Sequence, residues 1–174
     1  MSTLTTERLI LRPLREGDGE MMFRNWVSDE RVAEYCRWYA HKDISETQEF
    51  LKMCLDEAEK GFEYRWGITL KDSGELIGCI DVVDITENGK AAEVGYVLGY
   101  NYWGRGIMTE CVKAVIAELF NSGFDKVIAK HAIENPRSGR VMEKCGMKYS
   151  NDCEERRKFG SDEMIQCRCY EITK

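Results

Sequence analysis

The chain has 174 residues, of which 43% are hydrophobic and 32% are charged, and its formal net charge is −6 at pH 7. A chain of this length can bury about 70% of its unfolded surface, which is enough for one self-sufficient core. We therefore predict a single domain over residues 1–174. The acidic balance argues against a nucleic-acid partner, because proteins of that class present an extended basic surface.

The sequence carries no sign of export or of membrane insertion. Its N-terminus lacks a basic region followed by an apolar stretch and a small-residue cleavage site, and no run of about 18 apolar residues occurs. We expect a soluble, cytoplasmic protein that does not bind membranes. The eight cysteines form no C-x-x-C pair, so we expect reduced thiols and no metal site.

The first third of the chain predicts one strand followed by helices. Apolar and polar side chains alternate over residues 8–14, which indicates a strand. Helices are predicted over residues 18–27 and 30–35. Residues 45–48 have the spacing of a capping box, and apolar side chains then recur at helical spacing as far as Gly61. This pattern predicts a second long helix.

The middle of the chain predicts an antiparallel meander of strands. Its three predicted strands are separated by Asp72-Ser73-Gly74 and Asn88-Gly89, and both sequences are typical of short turns between strands. The predicted strands cover residues 64–70, 75–83 and 91–98.

The last third predicts two helices and three strands. An amphipathic helix is predicted from Gly106 to residues 121–123, where its apolar stripe ends. Asn135-Pro136 has the N-cap and first-position residues that begin another helix, and Gly146 closes it. The predicted strands cover residues 126–132, 149–157 and 163–172, of which the last two form a hairpin.

The stretch over residues 94–110, VGYVLGYNYWGRGIMTE, carries the most functional information. An apolar alternation runs into two glycines that flank Arg105, and then directly into the pattern of a helix. Glycine lets the backbone bend and approach a ligand closely, and consecutive backbone N–H groups at a helix start bind anions. The glycine pair alone is equally typical of a tight turn. In its strand-to-helix context, the pair predicts a site for a diphosphate.

This stretch resembles the coenzyme A loop of the GNAT N-acetyltransferases. That family has the pattern Q/R-x-x-G-x-G/A where this chain has NYWGRG over residues 101–106, with Asn101 in place of Gln or Arg. The Walker loop and the dinucleotide fingerprint fit less well, because neither Lys-Ser/Thr nor a third glycine follows.

Further motifs are similar to those of the ribosomal-protein-alanine (RimJ/RimL-like) branch of this family. They are the first-strand sequence at residues 4–13, W-G-x-G-x-x-T-E at residues 103–110, N-P-x-S at residues 135–138, and K-x-G-F at residues 144–147, with Met in the last place. The resemblance covers nearly the whole chain. It implies the GNAT fold, an α+β (mixed α/β) architecture whose mostly antiparallel mixed sheet is splayed at the coenzyme site and flanked by helices.

The resemblance implies an acetyl-CoA-dependent N-acetyltransferase that acts on a primary amine in a ternary complex. The amine is either a protein N-terminal α-amine or a small-molecule amine, and the protein is a monomer or a homodimer. The alternative is a non-catalytic acyl-CoA-binding or sensing module. The implied coenzyme contacts are Val97, Leu98, Tyr102, Trp103, Gly104, Arg105, Gly106, Ile107, Met108, Thr109, Asn135 and Ser138.

The resemblance also implies two catalytic roles near the thioester. The backbone N–H of Leu98 polarises the thioester carbonyl and stabilises the oxyanion. The hydroxyl of Ser138 protonates the departing thiolate, with Tyr149 as a weaker alternative. A capping role at the helix start is the competing interpretation of Ser138.

Glu93 is the candidate general base. It shares a strand face with Gly95 and Val97, which places its carboxylate along the line toward the predicted cleft. A structural carboxylate is the competing interpretation, and Asp81 or a water chain is the alternative base. For the acceptor, the aromatic-rich segment between two predicted helices supplies the candidate contacts Trp38, Tyr39 and His41, together with Glu93.

Overall fold

The computed structural model describes residues 2–62, 64–86 and 88–174. The chain divides into two compact units. The first consists of the residues up to Asp81 together with Tyr96–Arg105, and the second of Val82–Gly95 together with Gly106–Lys174. The prediction of a single domain is not decided by this division and stays a prediction.

Strands of the first unit pair antiparallel. They are β1 (Leu4–Thr5), β2 (Leu9–Arg12), β3 (Arg65–Leu70) and the first half of β4 (Leu76–Thr86). In register, Leu4 lies opposite Leu11, Leu9 opposite Leu70, and Arg65 opposite Asp81. The predicted strands at residues 64–70 and 75–83 are confirmed, although β4 extends further than predicted. The strand predicted at residues 8–14 is confirmed as β2 but ends at Arg12, and β1 was not predicted as a separate strand.

The α-helices of the first unit lie between β2 and β3. A 3₁₀ turn, helix α1 (Gly19–Met22) and a π turn follow one another without a break from Glu16 to Val27. Helix α2 (Glu30–Ala33) follows, and α3 (Ile44–Glu59) is the long helix. These elements confirm the predicted helices and enclose a core of Leu14, Met22, Trp26, Val27, Val32, Leu51, Cys54 and Leu76.

The start of α3 differs from the prediction in its capping residue. Asp43, not Ser45, is the N-cap, and its carboxylate accepts the Ser45 N–H at 2.7 Å. Glu46 closes the turn by accepting the Lys42 N–H at 3.1 Å. The helix begins earlier because an aspartate with extended backbone already satisfies one of the free N–H groups of its first turn.

The second unit contains most of the parallel and hairpin structure. Its elements are the first part of β5 (Ala91–Leu98), α4 (Ile107–Asn121), β6 (Lys126–Ala132), α5 (Pro136–Lys144), β7 (Lys148–Arg156) and β8 (Met164–Thr173). Strands β5 and β6 are parallel, whereas β8 pairs antiparallel with both β6 and β7. Each of these elements lies where the sequence predicts it, within two residues at either end.

The eight strands form one mixed sheet in the order β1-β2-β3-β4-β5-β6-β8-β7. In the part of the chain that the structure describes, β5 pairs with β6 through Ala91–Glu93 and Lys126–Ile128. Both strands continue beyond these residues, β5 to Leu98 and β6 to Ala132. A strand that runs on past its pairing has backbone N–H and C=O groups to offer to an extended ligand.

Candidate active site

The glycine-rich loop after β5 has the backbone that its sequence predicts. A 3₁₀ turn at Tyr100–Tyr102 leads to Gly104 and Gly106, whose φ angles are +77° and +75°. Side-chain-bearing residues adopt this left-handed conformation at a cost of about 1–2 kcal/mol. The loop is exposed, and its Arg105 carbonyl accepts a hydrogen bond from Arg8 Nη1 at 3.0 Å. Glycine at positions 104 and 106 therefore lets the loop adopt this backbone conformation without that cost.

Helix α4 begins directly at the second of these glycines. Gly106 is the N-cap, and Ile107 and Met108 are buried beneath the first turn. The first four N–H groups of a helix have no acceptor within the helix, and they lie at the positive end of its dipole. The arrangement can bind the phosphates of a ligand through the main chain.

Glu93 lies in a network of three charged side chains in the second unit. Its Oε2 is 2.8 Å from Lys130 Nζ, and the same nitrogen is 2.8 Å from Glu155 Oε1. The Glu93 side chain is only 17% exposed. Burial acts to lower the pKa of Lys130, but the two carboxylates outweigh it and raise this pKa, so that Lys130 stays charged. Lys130 and Glu155 were not singled out from the sequence.

Asp81, the alternative base, belongs to a different network in the first unit. Its Oδ2 is 3.2 Å from Arg65 Nε, and Arg65 Nη1 is 2.7 Å from Glu57 Oε2. Burial raises the pKa of the Asp81 carboxyl in spite of this guanidinium. Asp81 is therefore ion-paired with Arg65, and its role as an alternative base stays a prediction.

Asn135 and Ser138 lie at the start of α5. Asn135 is the N-cap, and its Oδ1 accepts the backbone N–H of Ser138 at 3.4 Å. Pro136 occupies the first helical position, as predicted. Ser138 is half-buried and lies on the first turn of the helix.

The predicted acceptor contacts differ in their surroundings. Tyr39 is 66% exposed, whereas Trp38 packs against the core of the first unit. His41 Nδ1 is 2.9 Å from the hydroxyl of the fully buried Thr47, and its backbone N–H donates to Val27 at 2.8 Å. Tyr39 is thus the exposed side chain of the three, and all three stay predicted acceptor contacts.

The setting of His41 makes stability depend on pH. Burial lowers the pKa of its imidazole below the ordinary value of 6.5. As the pH falls, His41 is protonated at a higher pH in the unfolded chain than in the folded protein. The free energy of unfolding therefore decreases as the pH falls below about 6.5. We expect His41→Gln to lose less stability than the unsubstituted protein between pH 7 and pH 5.5 in urea unfolding. Equal losses in the two proteins would contradict this assignment.

None of the eight cysteines forms a disulfide bond, and five of them are buried. Burial raises the pKa of Cys145 to about 11 and that of Cys79 well above its usual range. Among the described residues, no three His, Cys, Asp or Glu side chains are grouped to hold a metal ion. None of the helices within residues 2–62, 64–86 and 88–174 has the length and apolarity to cross a membrane.

The fold and the loop define an acetyltransferase. Residues 8–148 match the family model of the acetyltransferase (GNAT) domain, and the chain belongs to this family. The chain is accordingly an N-acetyltransferase.

Three known proteins show how near the similarity is. The uncharacterized N-acetyltransferase p20 of Bacillus licheniformis is 33% identical over 143 residues, which are 82% of this chain and 80% of that protein. The [ribosomal protein uS5]-alanine N-acetyltransferase of Escherichia coli (strain K12) is 24% identical, over 86% of this chain and 81% of that one. The microcin C7 self-immunity acetyltransferase MccE, solved with acetyl-CoA and AMP, is 17% identical with a TM-score of 0.83, over 97% and 94% of the two chains.

Proposed function

We propose that this enzyme transfers the acetyl group of acetyl-CoA to a primary amine by direct attack of the amine on the thioester. The observation that carries the proposal is the backbone path through Gly104 and Gly106 into α4, in a chain of the GNAT family. In the proposed complex, N–H groups from Gly104 to Thr109 bind the pyrophosphate. Val97 and Leu98 pair with the pantetheine arm through their backbone, and Asn135 contacts the same arm.

An N-terminal α-amine is the acceptor class that we propose first. The amine must be neutral to attack, and at pH 7 this costs about 4.6 kcal/mol for a lysine-like amine of pKa about 10.4. For an α-amine of pKa about 8 the cost is only about 1.4 kcal/mol. The E. coli relative, whose name gives a ribosomal-protein alanine as its acceptor, supports this class. A small-molecule amine is the second class.

In the proposed mechanism, the amine nitrogen bonds to the thioester carbon while the Leu98 N–H stabilises the oxyanion. A single such donor is typically worth about 2.7–4 kcal/mol. The proton lost by the amine passes to Glu93 through a water molecule. The carbon–sulfur bond then breaks, and Ser138 donates a proton to the thiolate. Water then takes the proton from Glu93 and returns one to Ser138, so that both groups regain their starting states. Lys130 orients the Glu93 carboxylate, because its ammonium group lies 2.8 Å from that carboxylate.

Direct attack requires no cysteine nucleophile. The thiolate is the reactive form of cysteine, and a thiol with a pKa of about 11 is protonated at neutral pH. We expect Cys145→Ala to keep kcat within about 2-fold of the unsubstituted enzyme, since it removes no transition-state contact. A loss of turnover with unchanged acetyl-CoA affinity would instead indicate an acetyl-cysteine intermediate.

A thiol-release assay tests the proposed function. Acetyl-CoA is supplied with a peptide that has a free α-amine and no lysine, and with a matched peptide that has an acetylated N-terminus and one lysine. A panel of small amines completes the test. If only the first peptide gives thiol release, the α-amine class is supported. If only the small amines give release, the second class is supported. Acetyl-CoA binding without release from any acceptor would favour a sensing module.

A further inference from the structure

The peptide bond that ends β5 is held at both of its polar ends. Trp103 Nε1 donates to the Leu98 carbonyl at 2.7 Å, and the Gly99 N–H donates to the Ile77 carbonyl at 2.8 Å. The carbonyl of Leu98 and the N–H of Gly99 belong to the same planar unit. Two fixed partners on its two ends therefore set the direction of this peptide plane.

The preceding peptide bond is held by close contact with β4. A Cβ atom added to Gly78 would lie 2.4 Å from the Val97 carbonyl oxygen and 3.1 Å from the Leu98 Cα. Both neighbours are backbone atoms, so the strands can approach this closely only with glycine at position 78. The peptide groups on both sides of the Leu98 α-carbon are thus fixed, and with them the Leu98 N–H.

The indole of Trp103 is itself supported by neighbouring side chains. Its ring centroid is 5.0 Å from that of Tyr100, and the guanidinium of Arg31 lies 3.8 Å above the Tyr100 ring. Asp29 in turn accepts a hydrogen bond from Arg31 Nε at 2.8 Å. Aromatic pairs and cations above aromatic rings attract each other at these distances. Tyr100 and Arg31 therefore help to hold the indole N–H of Trp103 in place.

We propose that Trp103 is a positioning residue that acts through the Leu98 peptide. Its indole N–H fixes the end of β5, so that the Leu98 N–H points at the place where the thioester oxyanion forms. This role rests on the proposed function, in which the Leu98 N–H is the oxyanion donor. A misdirected donor lowers the rate of the chemical step while leaving the pyrophosphate contacts of the loop intact.

Trp103→Phe tests this role, because it keeps an aromatic ring and removes the donor. The matched control is Trp66→Phe, since Trp66 Nε1 also donates to a backbone carbonyl, that of Ser2, at 3.0 Å. We expect Trp103→Phe to lower kcat about 10- to 100-fold, because small misplacements at a reacting centre have effects of this size. The KM for acetyl-CoA should change by less than about 3-fold. In Trp66→Phe we expect the loss of kcat to be smaller than in Trp103→Phe, and the KM for acetyl-CoA to change by less than about 3-fold.

Amide hydrogen exchange gives a readout that does not depend on activity. In Trp103→Phe the Gly99 amide should exchange about 2- to 10-fold faster, the ratio expected when one hydrogen bond of the peptide unit is lost. If this variant does not fold, 3-benzothienylalanine at position 103 removes the N–H and keeps the shape of the indole.

The results separate the two proposals. Unchanged kcat and unchanged Gly99 exchange in Trp103→Phe would overturn the positioning role, as would an equal loss of kcat in Trp66→Phe. A rise in KM alone would assign Trp103 to coenzyme binding and also overturn it. If the unsubstituted protein released no thiol, the proposed function would fail. Hydrogen exchange would still test the positioning role in that case, because unchanged Gly99 exchange in Trp103→Phe would show that the Trp103 hydrogen bond does not fix the Leu98 peptide.

Discussion

Replacing Glu93 with glutamine is expected to lower kcat about 10²–10⁴-fold, the usual range for a general base, with the KM for acetyl-CoA unchanged. Glutamine has the shape of glutamate and can still bind Lys130 or a water molecule, but it cannot take up the proton of the attacking amine. The measurement is steady-state thiol release at saturating acetyl-CoA with a peptide α-amine. An acceptor amine of lower pKa should show a smaller deficit, because more of it is already neutral.

Glu155→Gln is the matched control for this variant. Glu155 makes the same contact as Glu93, 2.8 Å from Lys130 Nζ, and its side chain is similarly shielded, at 23% exposed against 17%. Both variants remove one carboxylate from the same lysine, so effects on the charge network should be alike in the two. A large loss of kcat in Glu93→Gln alone identifies the base. Equal losses would attribute the effect to the network, and no loss in either would move the base elsewhere.

The glycine-rich loop was predictable because every signal that defines it is local. A strand pattern, two glycines and a helix pattern occur within residues 94–110, and each depends on neighbours a few positions away. The same is true of Asn135-Pro136 at the start of α5. These parts of the candidate site therefore have the predicted backbone.

The charge networks were not predictable in the same way. Glu93 and Lys130 meet because β5 and β6 pair in parallel with Glu93 opposite Ile128, and Lys130 lies two residues further along β6 on the same face. The sequence predicts both strands but not their register. The N-cap of α3 was missed for a related reason, since Asp43 and Ser45 are both acceptable caps and only the entering backbone decides between them.

The buried pair of Arg12 and Asp18, six residues apart in the sequence, was not predicted either. Arg12 Nη1 and Nη2 each donate to one carboxylate oxygen of Asp18 at 2.8 Å, and the Arg15 N–H donates to the same carboxylate at 2.8 Å. Arg12 is 9% exposed and Asp18 is 2% exposed. The pair joins β2 to the turn before α1, which begins the helical part of the first unit.

Arg12→Met is expected to lower the free energy of unfolding by about 3–5 kcal/mol, because it leaves the Asp18 charge buried without its partner. Urea unfolding measures the change. Arg24→Met is the matched control: Arg24 Nη2 is 2.7 Å from Glu75 Oε1, but the Arg24 side chain is 61% exposed, so its loss should have little effect. Adding Asp18→Leu to Arg12→Met should recover much of the stability, since two apolar side chains can replace a buried ion pair. A small loss in Arg12→Met, similar to that of the control, would mean that water reaches the pair and that the turn before α1 does not depend on it.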